Sequence, residues 1–207
     1  RMESKWVEAD ARAAVERWAN GDTVDEALAL RVYSWRLIGR EPTLVLHGGG
    51  NTSVKTRLRD DTGEEVDVLC VKGSGWDLGD IEPAGLPAVR LESLGRLRAR
   101  ASLSDEAMVN AQRTRLLDAS APNPSVETLL HAFLPAKYID HSHADAVLAL
   151  VDQPDGERIC RELYGDRLAL VPYVMPGFAL AKLAAEVAEA HPEAEGLVLL
   201  KHGLFTF

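Results

Sequence analysis

Two histidines one residue apart, His141 and His143, carry the strongest chemical signal in the sequence. In an extended strand, residues i and i+2 project from the same face. His141-Ser142-His143 would therefore set two imidazoles side by side, a geometry that chelates one divalent metal. A catalytic zinc centre takes three protein ligands and keeps one position open. The third ligand is expected from another strand end, where His202, followed by Gly203 for backbone clearance, is best placed. Asp140 and Asp145 flank the pair; they could orient the rings or serve equally as ordinary strand-end and helix-cap carboxylates.

Glu127 falls in the first turn of a helix expected to open at Ser125. An acidic residue there complements the helix dipole. Beside a Lewis-acid metal, it is also the group that moves a proton on and off carbon. Ser125 as N-cap would leave free backbone N–H groups for an anion. Two glycine loops, Gly48-Gly49-Gly50-Asn51-Thr52-Ser53 and Lys72-Gly73-Ser74-Gly75, match neither the P-loop nor the dinucleotide fingerprint, since neither opens directly into a helix. Their N–H groups, with Asn51, Ser74 and Lys72 nearby, could hold a phosphate, or the loops could be plain tight turns. Lys72 could equally face solvent at a strand end. The other histidines take bland readings: His191 as a dipole contact at a helix end, His131 as a core or helix-pair residue four positions after Glu127, and His47 as a turn residue.

Positioning these groups calls for a mixed scaffold. Helical spacing runs from Trp6 to Ala19, with Gly21 as a stop, and a second helix begins at the capping-box pattern Thr23-Val24-Asp25-Glu26 and reaches about Ile38. Thr43–His47 reads as a short apolar strand, Thr52–Arg59 as an exposed alternating strand, and Val66–Val71 as a buried one. Helices are expected from Pro87, Ser104 and Ser125, the last to about Leu134. Strands at 137–143 and 168–174 alternate with helices at 144–151, 155–163 and from Pro176-Gly177 to Ala190, before a strand pair over 196–207. The pattern predicts one layered α/β domain: a central mixed, largely antiparallel sheet flanked by helices in three layers.

Composition narrows the function classes. Of 207 residues, 46% are hydrophobic and 27% charged, ordinary values for a chain with a sizeable core. Lys and Arg number 23 and Asp and Glu 32, a net charge of −9, without the basic footprint of a nucleic-acid binder. Two cysteines, Cys70 and Cys160, read as reduced thiols rather than a disulfide framework. No run approaches the ~20 apolar residues of a membrane span, so the expectation is a cytoplasmic protein. A core strand pair so close to Phe207 predicts that residues 1–207 are a fragment of a longer polypeptide.

The motifs together resemble the class II aldolase/adducin superfamily. The carriers are Gly49-Gly50-Asn51-Thr52-Ser53, Val71-Lys72-Gly73-Ser74-Gly75, Pro124-Ser125-Val126-Glu127, His141-Ser142-His143, Pro172-Tyr173-Val174-Met175-Pro176-Gly177 and Lys201-His202-Gly203-Leu204-Phe205. The set is most similar to the aldolase part of bifunctional rhamnulose-1-phosphate aldolase/short-chain dehydrogenase proteins. That resemblance implies zinc on His141, His143 and His202, Glu127 as acid/base, and the substrate phosphate on Asn51, Ser74, Gly75 and Ser125. It also implies a homo-oligomer, a possible fused dehydrogenase, and cleavage of a ketose 1-phosphate, L-rhamnulose 1-phosphate favoured, to dihydroxyacetone phosphate and L-lactaldehyde. The chain departs from the family pattern in carrying Val126 in place of a second serine, and it lacks the C-terminal segment that can supply a tyrosine proton donor. A sugar-phosphate epimerase, a sugar-acid decarboxylase and a non-catalytic adducin-like binding module remain open alternatives.

Overall fold

The computed structural model describes residues 2–207. Two helices, α1 (Glu8–Trp18) and α2 (Glu26–Gly39), precede the strands β1 (Asn51–Arg59), β2 (Glu65–Val71) and β3 (Ala88–Arg90). Helices α3 (Leu91–Gly95), α4 (Asp105–Arg113) and α5 (Thr128–Phe133) follow, then β4 (Tyr138–Ser142), α6 (Asp145–Val151) and α7 (Gly156–Tyr164). The chain continues through β5 (Ala169–Val171), α8 (Phe178–Ala190), β6 (Gly196–Leu199) and β7 (Gly203–Thr206). Seven strands form one sheet in the order β3-β2-β1-β4-β7-β6-β5, with β5 and β6 parallel and every other pair antiparallel.

Strand alternation divides the core between the two faces of the sheet. Leu69 and Val71 of β2, with Leu197 and Leu199 of β6, pack beneath α5 and α8. Their neighbours Val68 and Cys70 turn to the opposite face, against Leu28, Val32 and Trp35 of α2, and Val198 packs there against Val147 and Val151 of α6. This is the three-layer α/β architecture expected. Cys70 and Cys160 are buried and unpaired, and no helix is long and apolar enough to cross a membrane among the described residues.

Several local expectations are corrected. Thr43–His47 is a turn, not a strand: Leu44 and Val45 donate to the Glu41 carbonyl, while the carbonyls of Leu44 and Thr43 accept from His143 and Asp145. The segment therefore tethers the connection from β4 to α6. Pro87 opens no helix. It precedes edge strand β3, where a residue without an N–H is tolerated, and α3 starts only at Leu91. β1 is not exposed along its length, because it lies between β2 and β4 and its first four residues are buried. The cap of α2 is Asp25, whose side chain accepts from Leu28 N–H at 2.8 Å. Thr23 sits instead in a turn held by Asn20 Oδ1.

Candidate active site

The site forms at one end of the three middle strands. His141 lies on β4, the central strand; Asn51, the first residue of β1, is its register partner on one side, and Phe205 of β7 on the other. His143 follows just past the end of β4. His202 occupies the tight turn between β6 and β7, a turn that places Lys201 in the left-handed region at φ 59°. The fold thus brings His141, His143 and His202 together, with one ligand nitrogen from each lying within 4.8 Å of the others.

The cluster has the ligand atoms to hold a metal ion. His141 Nδ1–H donates to the Leu204 carbonyl at 3.1 Å, which leaves its Nε2 lone pair facing inward. That Nε2 stands 3.0 Å from His143 Nε2, within hydrogen-bond reach of it. The His141 ring stacks on Phe205 at 4.2 Å between centroids, fixing its plane. Burial pushes the His141 pKa down to about 4 and lowers that of His143, keeping both rings in the neutral form that a metal requires. Gly203 provides the expected clearance: a Cβ there would lie 2.6 Å from the Ser142 carbonyl and 3.0 Å from the His143 ring.

Glu127 borders this cluster, with Oε1 3.0 Å from His202 Nε2 and Oε2 3.4 Å from His141 Nε2. Asn51 Nδ2–H donates to Oε2 at 2.6 Å. Burial alone would raise the Glu127 pKa; His141, then His202 and the Asn51 amide, outweigh it and hold the carboxyl well below its usual range. Its backbone position differs from expectation. Glu127 is itself the residue before α5, and Ser125 lies two residues earlier, where its hydroxyl accepts from Glu127 N–H and its carbonyl from Thr128 N–H. Asp140 and Asp145 do not orient the histidines. Asp140 points to the other face and pairs with the buried Arg31, and Asp145 is fastened through its backbone to Thr43.

A cavity of about 570 Å³ joins the histidines and Glu127 to both glycine loops and Ser125. Ser74 N–H is committed to the Asn123 carbonyl, which leaves the Ser74 hydroxyl and the Gly75 N–H without partners among the described residues. Both Asn51 amide hydrogens are engaged, one on Glu127 and one on Ser125 Oγ at 3.1 Å. Lys72 is not a solvent-facing lysine. It is buried in the cavity wall with its ammonium donating to the Gly48 carbonyl at 3.2 Å, and burial lowers its pKa.

Residues 32–207 match the family described as Class II Aldolase and Adducin N-terminal domain. The chain belongs to the class II aldolase and adducin family. Among solved structures, the N-terminal class II aldolase domain of a conserved protein from Thermoplasma acidophilum is similar at 40% identity and a TM-score of 0.84, over 100% of this chain and 89% of that one. L-fuculose-1-phosphate aldolase from Thermus thermophilus shares the fold at 20% identity and a TM-score of 0.50, over 85% of this chain and 78% of that one. Among curated proteins, an uncharacterized oxidoreductase, YuxG of Bacillus subtilis (strain 168), is 43% identical over 176 residues, 85% of this chain. The chain spans 26% of that relative's length.

His131, read from the sequence as a core or helix-pair residue, is a core residue that also reaches the site. It is fully buried, with Ser53 on one ring nitrogen and Asn51 on the other. The signal was present: Glu127 and His131 are one helical turn apart, which stacks two polar side chains on one face of an otherwise apolar segment.

Proposed function

We propose that this chain is a zinc-dependent aldehyde-lyase that cleaves a ketose 1-phosphate, L-rhamnulose 1-phosphate favoured, to dihydroxyacetone phosphate and L-lactaldehyde. The observation that carries the reading is a buried carboxylate, Glu127, set against a three-histidine cluster in a cavity whose far wall offers unpaired anion donors. His141, His143 and His202 are the metal ligands. A divalent cation bound there supplies Lewis acidity, which stabilises the negative charge that builds on the substrate's carbonyl oxygen as the carbon–carbon bond breaks.

The protein groups divide the remaining work. The Ser74 hydroxyl and Gly75 N–H bind the phosphate, with the Ser125 hydroxyl at the cavity wall. Asn51, named as a further phosphate contact by family resemblance, acts chiefly by holding Ser125 and Glu127. Held ionised, Glu127 removes the proton from the ketone's α-carbon in the synthetic direction; in cleavage the hydroxyl beyond the breaking carbon–carbon bond gives its proton up to solvent, and Glu127 takes one up from solvent and returns it to that carbon. Family membership, together with the anion donors of the cavity wall, supports the substrate class. The longer, oxidoreductase-named relative supports a polypeptide that continues into a dehydrogenase domain able to process the aldehyde. Homo-oligomeric assembly completes the reading and rests on the family resemblance.

Incubating the protein with zinc and a panel of ketose 1-phosphates, and assaying dihydroxyacetone phosphate, tests the proposal. Release from L-rhamnulose 1-phosphate is expected, and no release from any member overturns it. Product analysis in the same incubations separates cleavage from epimerisation or loss of carbon dioxide.

A further inference from the structure

Five side chains form one hydrogen-bonded network that runs from behind the cavity to its wall. Ser53 Oγ lies 2.8 Å from His131 Nδ1, and His131 Nε2 lies 2.5 Å from Asn51 Oδ1. The Asn51 amide nitrogen then reaches Glu127 Oε2 and Ser125 Oγ. Ser53 and His131 are fully sealed from solvent, and His131 also meets Phe205 edge-on at 5.4 Å between centroids.

The direction of every bond follows from the Glu127 end. There Asn51 donates its NH2 to Glu127 Oε2 and to Ser125 Oγ, which turns its carbonyl toward His131. His131 Nε2 must then carry the hydrogen. Burial keeps this ring neutral, with its pKa lowered to about 3, and a neutral imidazole has a single N–H. Nδ1 is therefore an acceptor, and the Ser53 hydroxyl donates to it. The two ends of an asparagine amide are nearly alike in shape, so shape alone does not choose between them. Flipped, Asn51 would set a carbonyl oxygen against Glu127 Oε2 in a buried site, where unpaired acceptors are costly.

We propose that His131 is a positioning residue whose Nε2–H fixes the Asn51 amide, so that one NH2 group holds both Glu127 and Ser125 beside the histidine cluster. His131 touches neither the cavity nor the metal ligands' inner nitrogens; it acts through Asn51. The inference rests on the reading of Glu127 as the proton carrier, and its test separates the two.

Glutamine places its amide nitrogen near the position of a histidine Nε2, whereas asparagine reaches only as far as Nδ1. H131Q therefore keeps a donor for Asn51, and H131N keeps only a partner for Ser53. With metal content and melting temperature matched between the variants, H131Q should retain kcat within a few-fold of wild type. H131N should lose kcat by about tenfold or more, the scale of one hydrogen bond expressed in the transition state, with KM little changed. Equal losses in the two variants would mean that His131 serves packing, and would overturn the proposal.

Nitrogen-15 spectra of the wild-type protein supply a readout that needs no turnover. A neutral His131 ring with its hydrogen on Nε2 is expected, and a ring with its hydrogen on Nδ1 overturns the proposal whatever the activity. The Asn51 side-chain amide resonances should survive in H131Q and shift in H131N. If those spectra hold while the wild-type protein releases no dihydroxyacetone phosphate, the aldolase reading fails and the positioning role stands.

Discussion

Asn51 and His141 are Cα register partners across β1 and β4, and both reach the same oxygen atom. Asn51 Nδ2 lies 2.6 Å and His141 Nε2 3.4 Å from Glu127 Oε2. One antiparallel pair thus presents an amide donor and an imidazole of the histidine cluster to a carboxylate arriving from the start of α5. The sheet register sets opposite one another the two groups that reach Glu127 Oε2.

The three histidines should bind about one zinc per chain, as expected for a three-ligand catalytic site. His143 is only half-buried at the end of β4, so H143A should keep the fold and lose most of its metal. Metal analysis after dialysis, with circular dichroism as the fold control, measures both. Stoichiometric zinc in H143A would remove His143 from the ligand set.

Glu127→Gln keeps the side-chain shape, and its amide oxygen can still accept from Asn51. Loss of a proton carrier should cost ~10²–10⁴-fold in kcat. A residue that only complements the helix dipole would instead change stability by ~0.3–1 kcal/mol. We expect zinc retention with turnover lost, measured by steady-state kinetics and metal analysis on the same sample.

Ser74 offers a hydroxyl with no partner among the described residues. S74A should raise KM for a phosphorylated ketose by roughly the worth of one charge-assisted hydrogen bond, ~1.5–3 kcal/mol. It should leave residual cleavage of the unphosphorylated sugar nearly untouched. Equal losses on both sugars would assign the loop a purely structural role.

Gly203 is where the β7 backbone comes close to His141 and His143. A Cβ there would come within 3.0 Å of His143 Cδ2 and 3.1 Å of His141 Cε1. G203A should therefore misalign the rings and weaken zinc binding by ~10–100-fold, as other changes around metal ligands do. Competition against a chelator of known affinity reads this directly.

His131 also predicts a pH dependence of stability. Its pKa falls from the ordinary value of 6.5 to about 3 in the folded protein, so between those values the unfolded chain binds the proton and the native one does not. Stability is then full above about 6.5 and declines as pH falls toward 3, by up to about 1.4 kcal/mol per pH unit from this group. Denaturant unfolding of wild type and H131Q from pH 7 to 4.5 should show the shallower slope in the variant.

Much of the scaffold was legible locally. Helix α8 starts directly after Gly177 and ends at Ala190 as its periodicity required, and β2 alternates between the two cores. The misreadings share one cause. Thr43–His47 has strand-like apolar residues, but its carbonyls are claimed by His143 and Asp145, far along the chain. Ala88–Arg90 is too short to show a period, and its pairing with β2 decides its state. Lys72, left open by the sequence between cavity and solvent, is buried with its ammonium on the Gly48 carbonyl.

By itself, the sequence determined that His141 and His143 stand side by side, because a strand repeats every two residues, and that the turn at His202-Gly203 leaves room for them. It also carried the family, since the motifs keep their order along the chain. Only the tertiary structure decided that Asn51 sits opposite His141, that Glu127 is wedged between two imidazoles, and that His131 closes the line behind them. The physical reason is range. Periodicity and capping act over one or two turns, whereas these contacts are set by sheet register and by the need to give every buried polar group a partner, wherever in the chain that partner lies.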